Sequence, residues 1–138
     1  MQEVFSRFNA DLLSALSPPL VRVDLERFDG CEVGDVVILR LRMLYFLRQR
    51  WECSITEHVE GERECYFTDE SEGERLPFFL RQWRHCHRIQ AHPTDAGRSI
   101  IVDDIQYRAP FGLNALLYPV LWAQFAYRKP VYRRFFGR

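Results

Sequence analysis

Two of the four histidines in this 138-residue chain stand two positions apart, in the stretch Trp83-Arg84-His85-Cys86-His87-Arg88-Ile89. Imidazoles exchange protons near neutral pH and ligate metals, and a thiolate can do the latter. Which of these the stretch could do depends on the element that carries it. The residues alternate, and on a strand alternate side chains face opposite ways. Trp83, His85, His87 and Ile89 then share one face; Arg84, Cys86, Arg88 and Gln90 share the other. The first set is bounded by Trp and Ile and is the covered face. Cys86 falls on the wet face and cannot join the histidines on an ion.

In the strand that follows, Ile101, Asp103, Ile105 and Tyr107 form the more apolar face. A hairpin folded about Thr94 and Asp95 brings Asp103 beside His85 or His87, and a buried imidazole next to a carboxylate is a charge-assisted pair. Two histidines and one carboxylate can hold a metal. No further strong ligand is evident on that face, so neither a metal nor a cofactor is expected. Such a cluster either satisfies polar groups inside the fold or forms the polar part of an otherwise apolar ligand pocket. His58 and His92 stand beside turns and are expected in solvent.

Three blocks must position these residues. Residues 2–17 place Val4, Phe8, Leu12 and Leu16 at helical spacing, and Pro18 and Pro19 end the helix. From residue 20 to 108 the period is two. Six strands read out in succession, joined by short turns, as an antiparallel meander with one wet face. They include 48–59, with Trp51, Cys53 and Ile55 on one face, and 79–90, which carries the histidines. Residues 110–136 return to helical spacing, with Pro110 suited to the start and Pro119 expected to kink the helix. Helix, meander and long helix define a single α+β domain over residues 1–138.

Apolar residues make up 47% of the chain and charged residues 28%, with nineteen bases against nineteen acids. The charges are unevenly spread. Nine acids and two arginines lie between Glu52 and Arg75, while residues 128–138 hold five bases and no acid. This pattern fits solvated faces, or a protein-interaction module that uses the acidic loop and basic tail. The four cysteines form no CxxC pair, which speaks against a zinc knuckle or disulfide framework and makes a reduced, cytoplasmic setting the default. The uncharged run 109–127 contains Asn114, Pro119 and Gln124 and reads as an amphipathic helix against the sheet, not a membrane span. The tail alternates aromatics with bases. Phe125, Tyr132, Phe135 and Phe136 are expected to anchor the helix end with arginines outward, and no nucleic-acid motif is present.

The order of these segments resembles the SRPBCC superfamily, the helix-grip or START-like proteins that include polyketide cyclases. The resemblance rests on Trp83, His85 and His87 as a W-x-H-x-H strand and on Asp104 and Tyr107 as D-x-x-Y. Pro110-Phe111-Gly112 opens the helix, and Tyr127-Arg128 lies near its end, with the preceding aromatic displaced to Phe125. It implies a curved antiparallel sheet gripping a long C-terminal helix over an apolar cavity, as in small bacterial members of that superfamily. The superfamily has seven strands and only six are visible. The natural start lies upstream, or the bare sheet edge is completed in a homodimer; the alternative is a bare edge on a marginally stable monomer.

The leading expectation is a domain that binds a small hydrophobic or amphipathic ligand, walled by Trp51, Phe67, Trp83, His85, His87, Asp103, Tyr107 and Leu117. The alternative is a cyclase- or hydratase-like enzyme using His85 or His87 as general base, steadied by Asp103.

Overall fold

A computed structural model describes residues 1–19 and 21–137. Six strands, β1 (Arg22–Phe28), β2 (Val36–Met43), β3 (Leu47–Glu60), β4 (Glu64–Glu72), β5 (Gln82–Ala91) and β6 (Ser99–Arg108), form one open antiparallel sheet in chain order. Turns or loops of at most nine residues join successive strands, the longest (73–81) holding the 3-10 turn Gly73–Arg75, and each strand pairs with the next. The fold is α+β, the sheet being followed by a long helix, α3 (Asn114–Phe136). No helix among the described residues is long and apolar enough to cross a membrane.

The helical expectations need correction at both ends. The single helix over 2–17 is two, α1 (Gln2–Ser6) and α2 (Ala10–Ala15). Asn9 is the reason: its extended backbone interrupts the first helix, and its side chain accepts the amide of Leu12 to cap the second. At the other end Pro110 opens only a single 3-10 turn, Pro110–Gly112, and α3 begins at Asn114. Phe111 adopts left-handed backbone there (φ 56°), which breaks the run. Thereafter α3 passes through both Pro119 and Pro130 as one element. The meander's expected first residue, Leu20, lies outside the described residues. The histidine strand starts at Gln82 and not Phe79, because Pro77–Leu80 closes a turn through the Leu80 amide.

Two β-bulges switch which face a strand shows. In β1 the register shifts between Leu25 and Arg27, and in β3 between Ile55 and Glu57. An extra residue reverses the parity of everything beyond it. Trp51, Cys53 and Ile55 are buried inward. Past the bulge His58, not Glu57, turns to that side. His58 is therefore not in solvent: its ring lies edge-on to Phe5 at 5.2 Å, and Nδ1 sits 2.6 Å from the Cys31 carbonyl.

The covered face packs in two zones. Leu41, Trp51, Cys53, Leu80, Trp83 and Leu121 form one, with Trp51 and Trp83 edge to face at 4.8 Å. Phe5, Ile55, Cys65, Phe67 and Ile89 form the other, closed by α1. Tyr132 joins Leu12 and Leu16, so the end of α3 seals against α2. Phe135 and Phe136 pack beside them, and Arg133 and Arg134 are exposed.

The outer face of the sheet is not uniformly wet. Cys86 is 2% exposed and its β4 neighbour Thr68 is fully buried, contrary to the expectation for Cys86. Long side chains cover them: Glu57 accepts from both Thr68 Oγ1 and Arg84, each at 2.8 Å, while Arg88 spans from Cys86 to Glu64. Their aliphatic stems shield the small residues beneath. The acidic stretch is thus largely paired within the sheet, with Glu52 also meeting Arg50 and Arg75.

Among the described residues three non-glycine positions have left-handed backbone, Leu44, Tyr45 and Phe111, and all three are exposed apolar side chains. Leu116, Val120 and Trp122 on α3 are exposed as well, so its apolar surface is only partly used against the sheet.

Candidate functional site

Strand pairing sets the site. On β5, His85 stands opposite Asp69 of β4, and His87 stands opposite Asp103 of β6. The hydrogen bonds cross these pairs diagonally. His85 Nε2 donates to Asp103 Oδ1 at 2.8 Å, and His87 Nε2 donates to Asp69 Oδ2 at 2.9 Å. The two imidazoles lie over one another with centroids 3.6 Å apart. Phe67 stacks on the far side of His87 at 4.4 Å, and Phe125 of α3 meets His85 edge-on at 5.2 Å. Both histidines are buried.

Each carboxylate has a second holder. Trp83 Nε1 donates to Asp69 Oδ1 at 3.0 Å. Asp103 receives the Tyr132 hydroxyl at 3.3 Å and the Arg128 guanidinium at 3.5 Å, both from α3. Arg128, expected among the outward bases of the tail, is instead 8% exposed and turned inward, its guanidinium 4.1 Å from the Phe125 ring centre. The helix is thereby docked to the sheet through Asp103 as well as through apolar contact.

Burial, then the neighbouring His87, pushes the His85 pKa down to about 4, so that at neutral pH this ring is uncharged. Burial resists ionisation of Asp69 and Asp103. Burial is the largest single influence on each, but it is overcome at Asp69 by the hydrogen bonds from His87 and Trp83 together with the nearby imidazoles, and at Asp103 by the bond from His85 together with the imidazoles and the Arg128 charge. Both carboxyls sit below the usual range and are ionised. Burial and the Asp103 charge push the Tyr132 phenol well up, so it remains a donor. Two carboxylates therefore face one guanidinium. With His87 Nε2 donating to Asp69, His87 Nδ1 has no hydrogen-bond partner among the described residues.

Beside this cluster, bounded by the sheet, α2 and α3, is a cavity of about 190 Å³. Its lining is mainly apolar, including Leu12, Leu39, Val23 and Leu121, with Asp69, His85, His87, Gln124 and Arg128 among its polar members. Of the expected wall residues, Trp51, Phe67, Trp83, His85, His87 and Leu117 line it. Asp103 and Tyr107 do not. Asp103 lies one hydrogen bond behind His85, and the Tyr107 hydroxyl donates to the Asn114 carbonyl at 2.8 Å, pinning the start of α3. The carboxylate that does line the cavity is Asp69, absent from the sequence reading. Its signal was present: Asp69 continues the Cys65, Phe67 alternation by one more step. Tyr132 was placed only as an anchor, and its bond to Asp103 has no local signature.

Comparison with family models, with curated proteins and with solved structures finds no match. The fold and site define an α+β domain with a crossed histidine–aspartate cluster at an internal cavity.

Proposed function

We propose that this chain is a ligand-binding domain of helix-grip type, holding a small hydrophobic or amphipathic molecule between the sheet and α3. One observation carries the reading: a largely apolar cavity of about 190 Å³ whose polar members converge on Asp69, His85 and His87. Apolar walls with a few placed polar groups are the usual composition of such sites. The strand order and the docking of α3 through Arg128 and Tyr132 are consistent with the helix-grip reading. Asp69 is an acceptor in the cavity lining, so it favours a ligand that brings a hydroxyl or amine.

The test is titration of the purified chain with an environment-sensitive amphiphile such as anilinonaphthalene sulfonate, with native mass spectrometry for retained molecules. Saturable one-to-one binding is expected, weakened at least about tenfold in Leu39→Trp, which fills the cavity. Absence of binding, or equal binding by a folded Leu39→Trp variant, would reject the reading.

A cyclase- or hydratase-like enzyme is a second reading, favoured by His85 and His87 both lining the cavity beside Asp69. An activity unaffected by His87→Gln would exclude it. We also propose that the open sheet pairs edge to edge in a homodimer.

A further inference from the structure

The His–Asp cluster has properties that satisfying buried polar groups does not require. Three atoms from two strands converge on one another. His85 Nδ1 lies 3.6 Å from Asp69 Oδ2, and His87 Nε2 lies 2.9 Å from the same oxygen. One atom from each of Asp69, His85 and His87 falls within a 4.8 Å set. Ligand atoms bound at about 2.0–2.2 Å to one ion stand about 3–3.5 Å from each other. The two separations from Asp69 Oδ2, 2.9 and 3.6 Å, bracket that spacing.

We propose that Asp69 Oδ2, His85 Nδ1 and His87 Nε2 form a binding site for a divalent transition-metal ion, zinc being the best match for this donor set. The proposal does not rest on the apolar-ligand reading.

Three further observations support it. First, the outer hydrogen bonds that orient metal ligands are in place: His85 Nε2 donates to Asp103, and Asp69 Oδ1 accepts from Trp83. Ligating imidazoles characteristically give their other N–H to a carboxylate in this manner. Asp103 is itself held by Arg128 and Tyr132, so the support extends into α3.

Second, the ion resolves the orphaned nitrogen. In the metal-free protein His87 Nε2 donates to Asp69, and Nδ1 lies 3.7 Å from Asp103 Oδ1, too far for a hydrogen bond. Coordination through Nε2 moves that proton to Nδ1. The lone pair opposite a carboxylate becomes an N–H directed at it. No proton is lost from neutral His87 in the exchange, and the hydrogen bond to Asp69 is replaced by two bonds to the ion.

Third, the charge balance favours a cation. Asp69 and Asp103 outnumber Arg128, and an unpaired buried charge is costly. Because Asp69, His85 and His87 line the cavity, coordination positions not taken by protein would open onto it. A bound zinc ion could then act on a ligand's carbonyl or hydroxyl as a Lewis acid.

The purified full chain, stripped with a chelator and dialysed, is titrated with zinc by calorimetry and with cobalt(II) by visible absorption. One ion per chain is expected, with cobalt d–d bands of a low-coordinate N,O site. Affinity should fall at least about 100-fold in Asp69→Asn, and about 10- to 100-fold in Asp103→Asn, which loses only the support of His85. The double variant His58→Ala, His92→Ala should bind within threefold of wild type. Imidazole 15N spectra of the wild type keep the test independent of variant folding: zinc should move the His87 proton from Nε2 to Nδ1. Binding of no ion, unaltered affinity in Asp69→Asn, or zinc-induced shifts confined to His58 and His92 would each overturn the site. Amphiphile binding measured in chelator reports on the ligand reading separately, so either proposal can fail alone.

Discussion

At the residue scale, the cluster makes acid sensitivity a consequence of burial. His85 ionises near pH 4 in the folded chain but near 6.5 when unfolded. Between those values the unfolded chain binds a proton that the folded chain refuses, so stability is full above about pH 6.5 and falls as pH drops. Asp69 and Asp103, both held below the carboxylate range, act in the same direction at lower pH. Their contribution is present above about pH 3.9 and is lost as pH falls through their folded values. His58 works the other way. Burial opposes its charge, but the Cys31 carbonyl and Glu60 raise its pKa, so its contribution is lost as pH rises through that value. Urea midpoints measured from pH 7 to 4.5 should fall, with a slope of up to about 1.4 kcal/mol per pH unit from His85 alone. A flat profile over that range would contradict the buried, neutral His85. The meeting of the histidines with Asp103 was legible, because alternation and one hairpin suffice to fix it. Asp69 was missed because the alternation in β4 was followed only as far as its apolar members.

At the element scale, the β2–β3 turn is held under strain. Leu44 and Tyr45 both have left-handed backbone (φ 51° and 66°), a conformation that hairpin turns normally assign to Asn and Gly. Each side chain there costs roughly 1–2 kcal/mol relative to an ordinary conformation. Replacing Leu44-Tyr45 with Asn-Gly should therefore stabilise the fold by about 1–3 kcal/mol, the summed strain less the roughly 0.5–1 kcal/mol entropic cost of glycine, read as a higher thermal midpoint. An unchanged or lower midpoint would show that exposed Leu44 and Tyr45 contribute contacts exceeding the strain. Strand positions were legible from period and turn residues. The bulges were not: an extra residue at Thr56 leaves the composition of β3 ordinary while reversing His58 against its expected side. The helix break at Asn9 was hidden for a related reason, since Phe8 and Leu12 keep helical spacing across it.

At the scale of the whole molecule, chain order and sheet order coincide, which is why the meander could be read before any coordinates. The cavity could not. Its size depends on how α2 and α3 fill the sheet face together, and pairwise periodicity carries no information about residual volume. The open sheet leaves β1 and β6 with one neighbour each, and strand edges invite pairing. Sedimentation of the 16.5 kDa chain should show a concentration-dependent species of twice the monomer mass. A single monomer across the accessible range would exclude the edge-paired dimer.

The buried thiols have a practical consequence. Cys53, Cys65 and Cys86 belong to three successive strands, β3, β4 and β5, and none is in a disulfide. Each is shut away from reagents while its strand stays paired, so alkylation can proceed only through excursions that expose it. Labelling rates read cysteine by cysteine would show whether the protein breathes as one unit or peels open strand after strand.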